Sequence, residues 1–451
     1  LADIRVLPSR TAYSMPGELG ARIVGGDGHY LLDSDGTRYL DASCGSGSLI
    51  FGHGDKEIID ALYAQSRKLT LFPSRHFSSE IVERYAGRLL DFGPPGMSRA
   101  ITFSSGSDAV EASLKLAIQH HFAAERPQRR KILGRNASYH GNTIAGLSAG
   151  GFVARRKPYE SVLAPCAKAS HAHCVACEFG VQAETCGVQC AQSIEDAILE
   201  EGPENVAAVI VEPIVGAALS AGPPDPRYLP RISEICRQYD ILLILDEVMT
   251  CFARTGTPFA CMHWNVEPDI VVCGKAISAG YYPLSAILVN DRVVRGPLAR
   301  DKYFQNGQTF ACSPAGAAVG LAVLDRLADG SVAANVARMG ELLRASLRKE
   351  LPSVLVDRVR GMGLMVGFDI GNRFKSSRTP SSDGFGDRFQ RAALKRGLVI
   401  YASSGGAERE TGDHAMLLLP LTISEREVQE ATACLVAAAN DLLETESKAR
   451  P

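Results

Sequence analysis

Ile241-Leu-Leu-Ile-Leu245-Asp246 is a continuous apolar run that ends on a charged residue, and the chain repeats that arrangement twice. Val206 to Val211 runs into Glu212, and Ile270 to Val272 runs through Cys273 and Gly274 into Lys275. Short runs of this kind, β-branched and leucine-rich without polar alternation, are strands buried on both faces. From about Lys56 to about Asp325 such strands alternate with helical spacing, which predicts an α/β large domain whose mainly parallel sheet is covered by helices on both faces. Ligands of open α/β sheets collect at the carboxyl ends of the strands, so Glu212, Asp246 and Lys275 are predicted to share one site.

On the N-terminal side, Tyr30-Leu-Leu-Asp-Ser-Asp-Gly36-Thr-Arg-Tyr-Leu-Asp41 reads as a β-hairpin around an Asp-Gly turn. On the C-terminal side a helical stretch runs from Leu321 to about Glu350, a strand follows at Leu364 to Asp369, and a last helix starts near Ser424. The two flanks are predicted to form one small α+β domain, with residues 1–57 and 323–451 around a large domain at 58–322. Gly371 to Gly386, rich in Ser, Gly and charge, is predicted to be a surface loop. Gly361-Met-Gly363-Leu-Met-Val-Gly367 precedes a strand and lacks the spacing of a dinucleotide loop.

Lys and Arg total 48 against 50 Asp and Glu, so no global field draws the chain to nucleic acid or a charged membrane. No apolar run approaches the roughly 20 residues that span a bilayer, and Leu1 to Arg10 lacks a secretion signal's layout. A cytoplasmic protein with small-molecule partners is expected. Most cysteines sit singly in apolar segments, as small buried hydrophobes suited to a reducing compartment. Cys174, Cys177, Cys186 and Cys190, beside His171 and His173 in an insertion after Pro165, form the one cluster. Its close pairs permit a tetrahedral zinc site, a disulfide or plain packing. The spacing is tighter than most zinc modules, so no metal is assigned and no catalytic role is expected.

A lysine directly after a buried strand is desolvated or covalently occupied unless it leaves the sheet edge for solvent. Asp246 needs a cation or donors to offset its burial, unless it merely caps a helix. A protonated pyridine nitrogen is such a cation. Ser104-Ser-Gly106-Ser107-Asp108-Ala-Val-Glu opens a helix, where free amides make an anion site, although an ordinary cap gives the same string. Tyr139-His140-Gly141-Asn142-Thr143 puts an aromatic ring where it can stack on a flat ligand or simply pack in a turn.

These motifs, together with Val-Glu212-Pro, Leu-Asp246-Glu-Val248, Gly-Lys275-Ala-Ile-Ser-Ala-Gly and Gly-Gln-Thr309-Phe, resemble the class III aminotransferases of the fold-type I superfamily, from Tyr30 to the last helix. The resemblance implies pyridoxal 5'-phosphate (PLP) as a Schiff base on Lys275, its pyridine nitrogen on Asp246, and its ring between Tyr139 and Val248. It implies a phosphate site at Gly106 and Ser107 joined by Thr309 of the neighbouring subunit, hence a homodimer. Glu212 is implied between cofactor and substrate, with His140 beside the tyrosine. Lys275 is the implied general base of a ping-pong amino transfer through pyridoxamine phosphate.

Where family members that grip an α-carboxylate often carry an arginine, Ala415-Met416-Leu-Leu-Leu-Pro420 places Met416. The expected substrate therefore carries its amine away from a carboxylate: an ω-amino acid, a diamine or an amino sugar of the aminoglycoside kind. Arg254 and Arg409 are the remaining candidates for a carboxylate. Cys251 and Ala253 stand where the family usually has glycine, and Cys312 lies in a segment that departs from its Gly-Asn-Pro form. The alternatives on the same scaffold are an epimerase or aminomutase and a catalytically idle binding protein.

Overall fold

The structure is a computed structural model that describes residues 21–448 except 175–176, 183–184, 295–302, 371–383 and 404–412. Three N-terminal strands, β1 (Ile23–Asp27), β2 (Tyr30–Asp33) and β3 (Arg38–Asp41), form an antiparallel ribbon with the expected hairpin between the last two. Asp33 fixes that turn: its Oδ1 accepts from the amides of Asp35 at 3.0 Å and Thr37 at 2.8 Å.

Seven strands follow: β4 (Met97–Phe103), β5 (Lys131–Arg135), β6 (Lys168–Ala169), β7 (Val206–Val211), β8 (Leu242–Asp246), β9 (Ile270–Cys273) and β10 (Ser285–Asn290). They form one sheet in the order β4-β10-β9-β8-β7-β5-β6, parallel except for β10, which pairs antiparallel with both β4 and β9. The continuous apolar runs are buried on both faces because alternate residues enter different cores. Val209, Val211, Leu243, Leu245 and Val271 join one cluster, whereas Ala208, Ile210, Leu242, Ile244, Ile270 and Val272 join the other. The helix Gly106–Ala123 covers the second face with Ala109, Val110 and Leu116. The helices Gln189–Glu201 and Tyr228–Gln238 cover the first with Ile194, Ile198, Ile232 and Ile235. Truncating a fully buried strand residue such as Ile244 to alanine costs about 2–5 kcal/mol in such packing.

The C-terminal strands are β11 (Val356–Met362), β12 (Met365–Ile370), β13 (Leu398–Val399), β14 (Tyr401–Ser403) and β15 (Asp413–Leu418). Four of them form an antiparallel sheet, β11-β12-β15-β14, while β13 pairs parallel with β3 and so ties the two ends of the chain together. The glycine-rich string rejected as a dinucleotide loop is the β11–β12 hairpin, with Gly363 at φ 55°.

Two expectations need correction. The stretch from Leu321 to Glu350 is two helices, Pro314–Leu327 and Ser331–Glu350, because Gly330 takes a left-handed φ of 75° between them. Of the loop expected at Gly371 to Gly386, residues 371–383 lie outside the described residues, and Phe385 and Gly386 are instead the buried start of the helix Phe385–Lys395. The Gly386 amide donates to Asp413 Oδ2 at 2.7 Å, which anchors that start to β15. No described helix is long and apolar enough to cross a membrane.

Candidate active site

β7, β8 and β9 are neighbours in the sheet, so the residues that end them come together at its carboxyl edge. A cleft of about 140 Å³ there is bounded by Gly106, Ser107, Tyr139, His140, Glu212, Asp246, Val248 and Lys275. Ser105, Val110, Gly141, Ile214 and Met249 complete its wall. A larger cavity, about 350 Å³, lies at the opposite end of the strands. Within it Arg292 bonds Asp240 and Asp269.

Lys275 follows Gly274 with a left-handed φ of 48°, a conformation that side-chain-bearing residues avoid and that tends to persist at functional sites. Gly274 packs beside Val248 and Gly106, where a Cβ would be in ordinary contact, 3.4 Å from Val248 Cγ1 and 3.5 Å from Gly106 Cα. Gly47 of the N-terminal segment, at φ 90°, comes alongside Lys275, where a Cβ would lie 3.7 Å from Lys275 Cδ. Burial pushes the Lys275 amine below its ordinary pKa, and the nearby charges of Asp246 and Glu212 oppose that shift without cancelling it. No hydrogen bond or ion pair to its Nζ occurs among the described residues, so the amine is available for chemistry.

Asp246 is held rigidly. His140 Nδ1–H donates to its Oδ2 at 2.8 Å, and the Val248 amide donates to Oδ1 at 3.1 Å. His140 is itself buried, and its Nε2 has no partner among the described residues. Glu212 accepts from the Tyr139 amide at 3.1 Å and the Gly216 amide at 3.2 Å, while buried Arg135 binds its carbonyl at 3.0 Å. Burial pushes the Glu212 carboxyl above its usual range. The neighbouring Glu247 serves the fold: fully buried, it accepts from the amides of Ala260 at 3.0 Å and Cys261 at 2.7 Å.

The helix start expected at Gly106 is present. Ser105 caps the helix Gly106–Ala123, and the amides of Gly106 and Ser107 belong to the first turn, which has no intrahelical acceptor for them. Gly141 closes over this turn at φ 97°, where a Cβ would lie 2.6 Å from Ser107 Oγ, and that hydroxyl also accepts from the Asn142 amide at 3.2 Å. A lysine amine, a clamped carboxylate, an aromatic ring and a helix start on one cleft match the functional groups of PLP.

The family model for class-III aminotransferases matches residues 15–439. The chain belongs to the class-III aminotransferases. It is 32% identical over 432 residues to an uncharacterised aminotransferase of Schizosaccharomyces pombe, covering 94% of this chain and 93% of that one. It is 31% identical over 431 residues to a putrescine–pyruvate aminotransferase of Pseudomonas aeruginosa, covering 94% and 91%. An omega transaminase from Pseudomonas jessenii, solved in complex with PMP, superposes with a TM-score of 0.88 at 29% identity, covering 96% of each chain. The architecture is thus the fold-type I architecture of these transaminases, and PLP is the cofactor of class-III aminotransferases.

Other residues of this aminotransferase fall outside the cleft or change meaning. Thr309 is exposed and does not line the cleft of its own chain. Arg254 is not free to hold a substrate: it is fully buried and donates to the carbonyls of Leu364 at 3.2 Å and Leu419. Arg409 lies outside the described residues. Met416 is buried among Cys44, Ile214, Met365 and Leu418, with Met249 and Tyr401 packed against them, so it belongs to an apolar wall. Ala253 takes φ 66°, a backbone that costs an alanine about 1 kcal/mol relative to glycine. Cys251 is buried with its thiol toward the Gly274 carbonyl, at 3.7 Å. Cys174, Cys177, Cys186 and Cys190 are all free, and among the described residues no three His, Cys, Asp or Glu side chains are grouped to hold a metal.

Sequence reading missed Gly47, Ile214, Met249 and Arg155, the last of which stacks on Tyr139. Met249 and Ile214 each stand within three residues of a residue that was singled out, and that adjacency was the available signal. Gly47 and Arg155 reach the site only through the fold.

The lowered pKa of Lys275 has a measurable consequence. Attack on added PLP needs the neutral amine, so cofactor uptake by apoprotein is expected to rise with pH to a midpoint below the ordinary lysine value of 10.5. The same shift makes the unfolded chain bind more protons than the folded one between the two pKa values. Lys275 therefore contributes a stability that increases with pH across that window. Stopped-flow absorbance against pH checks the first effect, and a midpoint at the ordinary value would contradict it.

Proposed function

We propose that this aminotransferase moves an amino group between a primary amine distant from any α-carboxylate and an oxo compound, by a ping-pong cycle. The amine class comprises ω-amino acids, diamines and amino sugars. The observation that carries this reading is Met416, buried in an apolar cluster where an arginine clamp is otherwise common. Relatives support it: besides the putrescine–pyruvate aminotransferase, a diaminobutyrate–2-oxoglutarate transaminase of Halomonas elongata is 30% identical over 437 residues.

PLP, when bound, supplies the electron sink for the charge left on the substrate carbon as its proton departs. Lys275 would hold the cofactor and then carry that proton on Nζ, a task suited to an amine whose burial favours the neutral form. Asp246 would keep the pyridine nitrogen protonated, with His140 and the Val248 amide fixing the carboxylate in place. Tyr139 and Val248 would bracket the ring, and Gly106 and Ser107 would bind the phosphate together with Thr309 of a second subunit. The exposure of Thr309 away from its own cleft supports a homodimer with shared sites. The separate small sheets support a small domain at residues 1–57 and 323–451 around a large domain at 58–322. Glu212, whose carboxyl burial pushes above its usual range, would border the substrate side.

Single-turnover rates of the PLP-loaded protein with each donor of a panel, in the absence of acceptor, test the substrate class. Putrescine, 4-aminobutyrate and an amino sugar are expected to exceed alanine and glutamate in second-order rate constant by about tenfold or more, the discrimination expected of a site lacking an ionic clamp for the α-carboxylate. Preference for alanine or glutamate would overturn this reading.

A further inference from the structure

Cys174, Cys177, Cys186 and Cys190 belong to the segment that leads from β6 to the helix Gln189–Glu201, and the chemistry of the cleft uses none of them. Spacing alone permits zinc, a disulfide or packing. Each pair has two or three intervening residues, a separation at which two thiolates can reach one ion.

The fold brings the two pairs together. Cys174 lies within electrostatic reach of Cys177 and Cys186, and Cys190 within reach of Cys174 and Cys186, so the four sulfurs form one neighbourhood. Three of them also face backbone donors. The Val188 amide donates to Cys186 Sγ at 3.2 Å, from a turn in which Val188 takes a left-handed φ of 57°. The Asp225 amide donates to Cys174 Sγ and the Ala191 amide to Cys190 Sγ. A neutral thiol is a weak acceptor, whereas a metal-bound thiolate carries charge and is steadied by such outer donors.

Nearby positive charge points the same way. Arg135 is 1% exposed, its Nε has no partner among the described residues, and its two hydrogen bonds go to neutral oxygens, Tyr228 Oη at 3.1 Å and the Glu212 carbonyl. Glu212, the acid within reach of that charge, gives its carboxylate to the amides of Tyr139 and Gly216 instead. The charge of Arg135 bears on Cys190, and that of Arg227 on Cys174 and Cys186. A divalent ion that displaces one proton from each of four thiols leaves a double negative charge on the site, and a buried guanidinium gains from such a neighbour. Disulfides and packed thiols are neutral and offer it none.

We propose that Cys174, Cys177, Cys186 and Cys190 bind one structural zinc ion as thiolates, clamping the segment after β6 onto the loop that follows Glu212. The sulfurs are neighbours that do not yet converge on one point, so the site closes as the ion binds, with metal affinity and local folding coupled. The two segments already meet: His173 packs on Gly222, where a Cβ would lie 2.8 Å from its Cδ2, and the Asp225 amide follows in the same loop. Gly216, whose amide holds the Glu212 carboxylate, belongs to that loop as well.

The test counts zinc by atomic emission in protein expressed with added zinc, comparing wild type, Cys174→Ser, Cys190→Ser and, as a control on the last helix, Cys434→Ser. About one zinc per chain is expected in wild type and Cys434→Ser, and about tenfold less in the other two. Should those two fail to fold, wild type decides. Capping the thiols of the native protein with a mercurial is expected to release its zinc as about four thiols react, and cobalt in place of zinc should give the visible bands of a tetrahedral thiolate site. Zinc well below one equivalent in wild type, zinc retained by both serine variants, or an unreduced mass lower by the two hydrogens of a disulfide overturns the proposal. None of these outcomes touches the aminotransferase reading, which the cleft carries by itself.

Discussion

Lys275→Ala is expected to lower amino transfer by about 10⁴-fold or more while leaving the protein folded and at least as stable. Lys275 is the one amine on the cleft wall, so no described side chain is placed to replace it as holder of the cofactor or carrier of the proton. Its stability effect has the opposite sign to its catalytic effect. The amine is buried with no partner to compensate, and burial already pushes its pKa down, so removing it relieves a desolvation cost in the apoprotein. Below the depressed pKa, where the folded state must bury a cation, the gain should be largest. Thermal unfolding of the two apoproteins at several pH values, beside steady-state rates, checks both halves. Retained turnover would remove Lys275 from the chemistry, and a large loss of stability would make it a structural residue.

The second large effect is expected from Asp246→Asn, which preserves shape and removes charge. An amide oxygen can still accept from His140 Nδ1–H, now 2.8 Å from Oδ2, while the amide nitrogen cannot accept from the Val248 N–H, so the packing should survive with the loss of one hydrogen bond. The paired cation at the pyridine nitrogen would lose its counter-charge, and turnover should fall by about 10²–10³-fold, as when other preorganised charges are removed. PLP retention should weaken too. Rates and cofactor affinity of the variant, with its unfolding midpoint as the control for folding, give the answer. Were the carboxylate only the partner of a buried histidine, the substitution would move the midpoint and spare the rate.

Much of this was legible from local patterns. The three buried runs could be read because strands covered on both faces leave no polar alternation, and their final residues therefore stood out as Glu212, Asp246 and Lys275. The helix start at Gly106 and the ring at Tyr139 carried recognisable local chemistry, and both line the cleft. Other features depended on tertiary contacts. His140 acts on Asp246 across 106 positions of sequence, and nothing near either residue announces the pairing. Gly47 approaches Lys275 from a segment that was read only as far as its preceding hairpin. Arg254 has the composition of a substrate clamp, and only its burial against two distant carbonyls shows it to be structural. The break at Gly330 was missed because helical periodicity continues on both sides of it.

The central claim, a PLP-dependent amino transfer centred on Lys275, is tested most directly by mixing PLP-loaded protein with putrescine in the absence of any acceptor and recording the absorbance spectrum. The account predicts that wild type loses the PLP band, yields one equivalent of PMP per site and one of the amino aldehyde, and regains the band when pyruvate is added, whereas Lys275→Ala does none of this. A wild-type protein that binds no PLP, or that exchanges a substrate proton with solvent and never forms PMP, would contradict it.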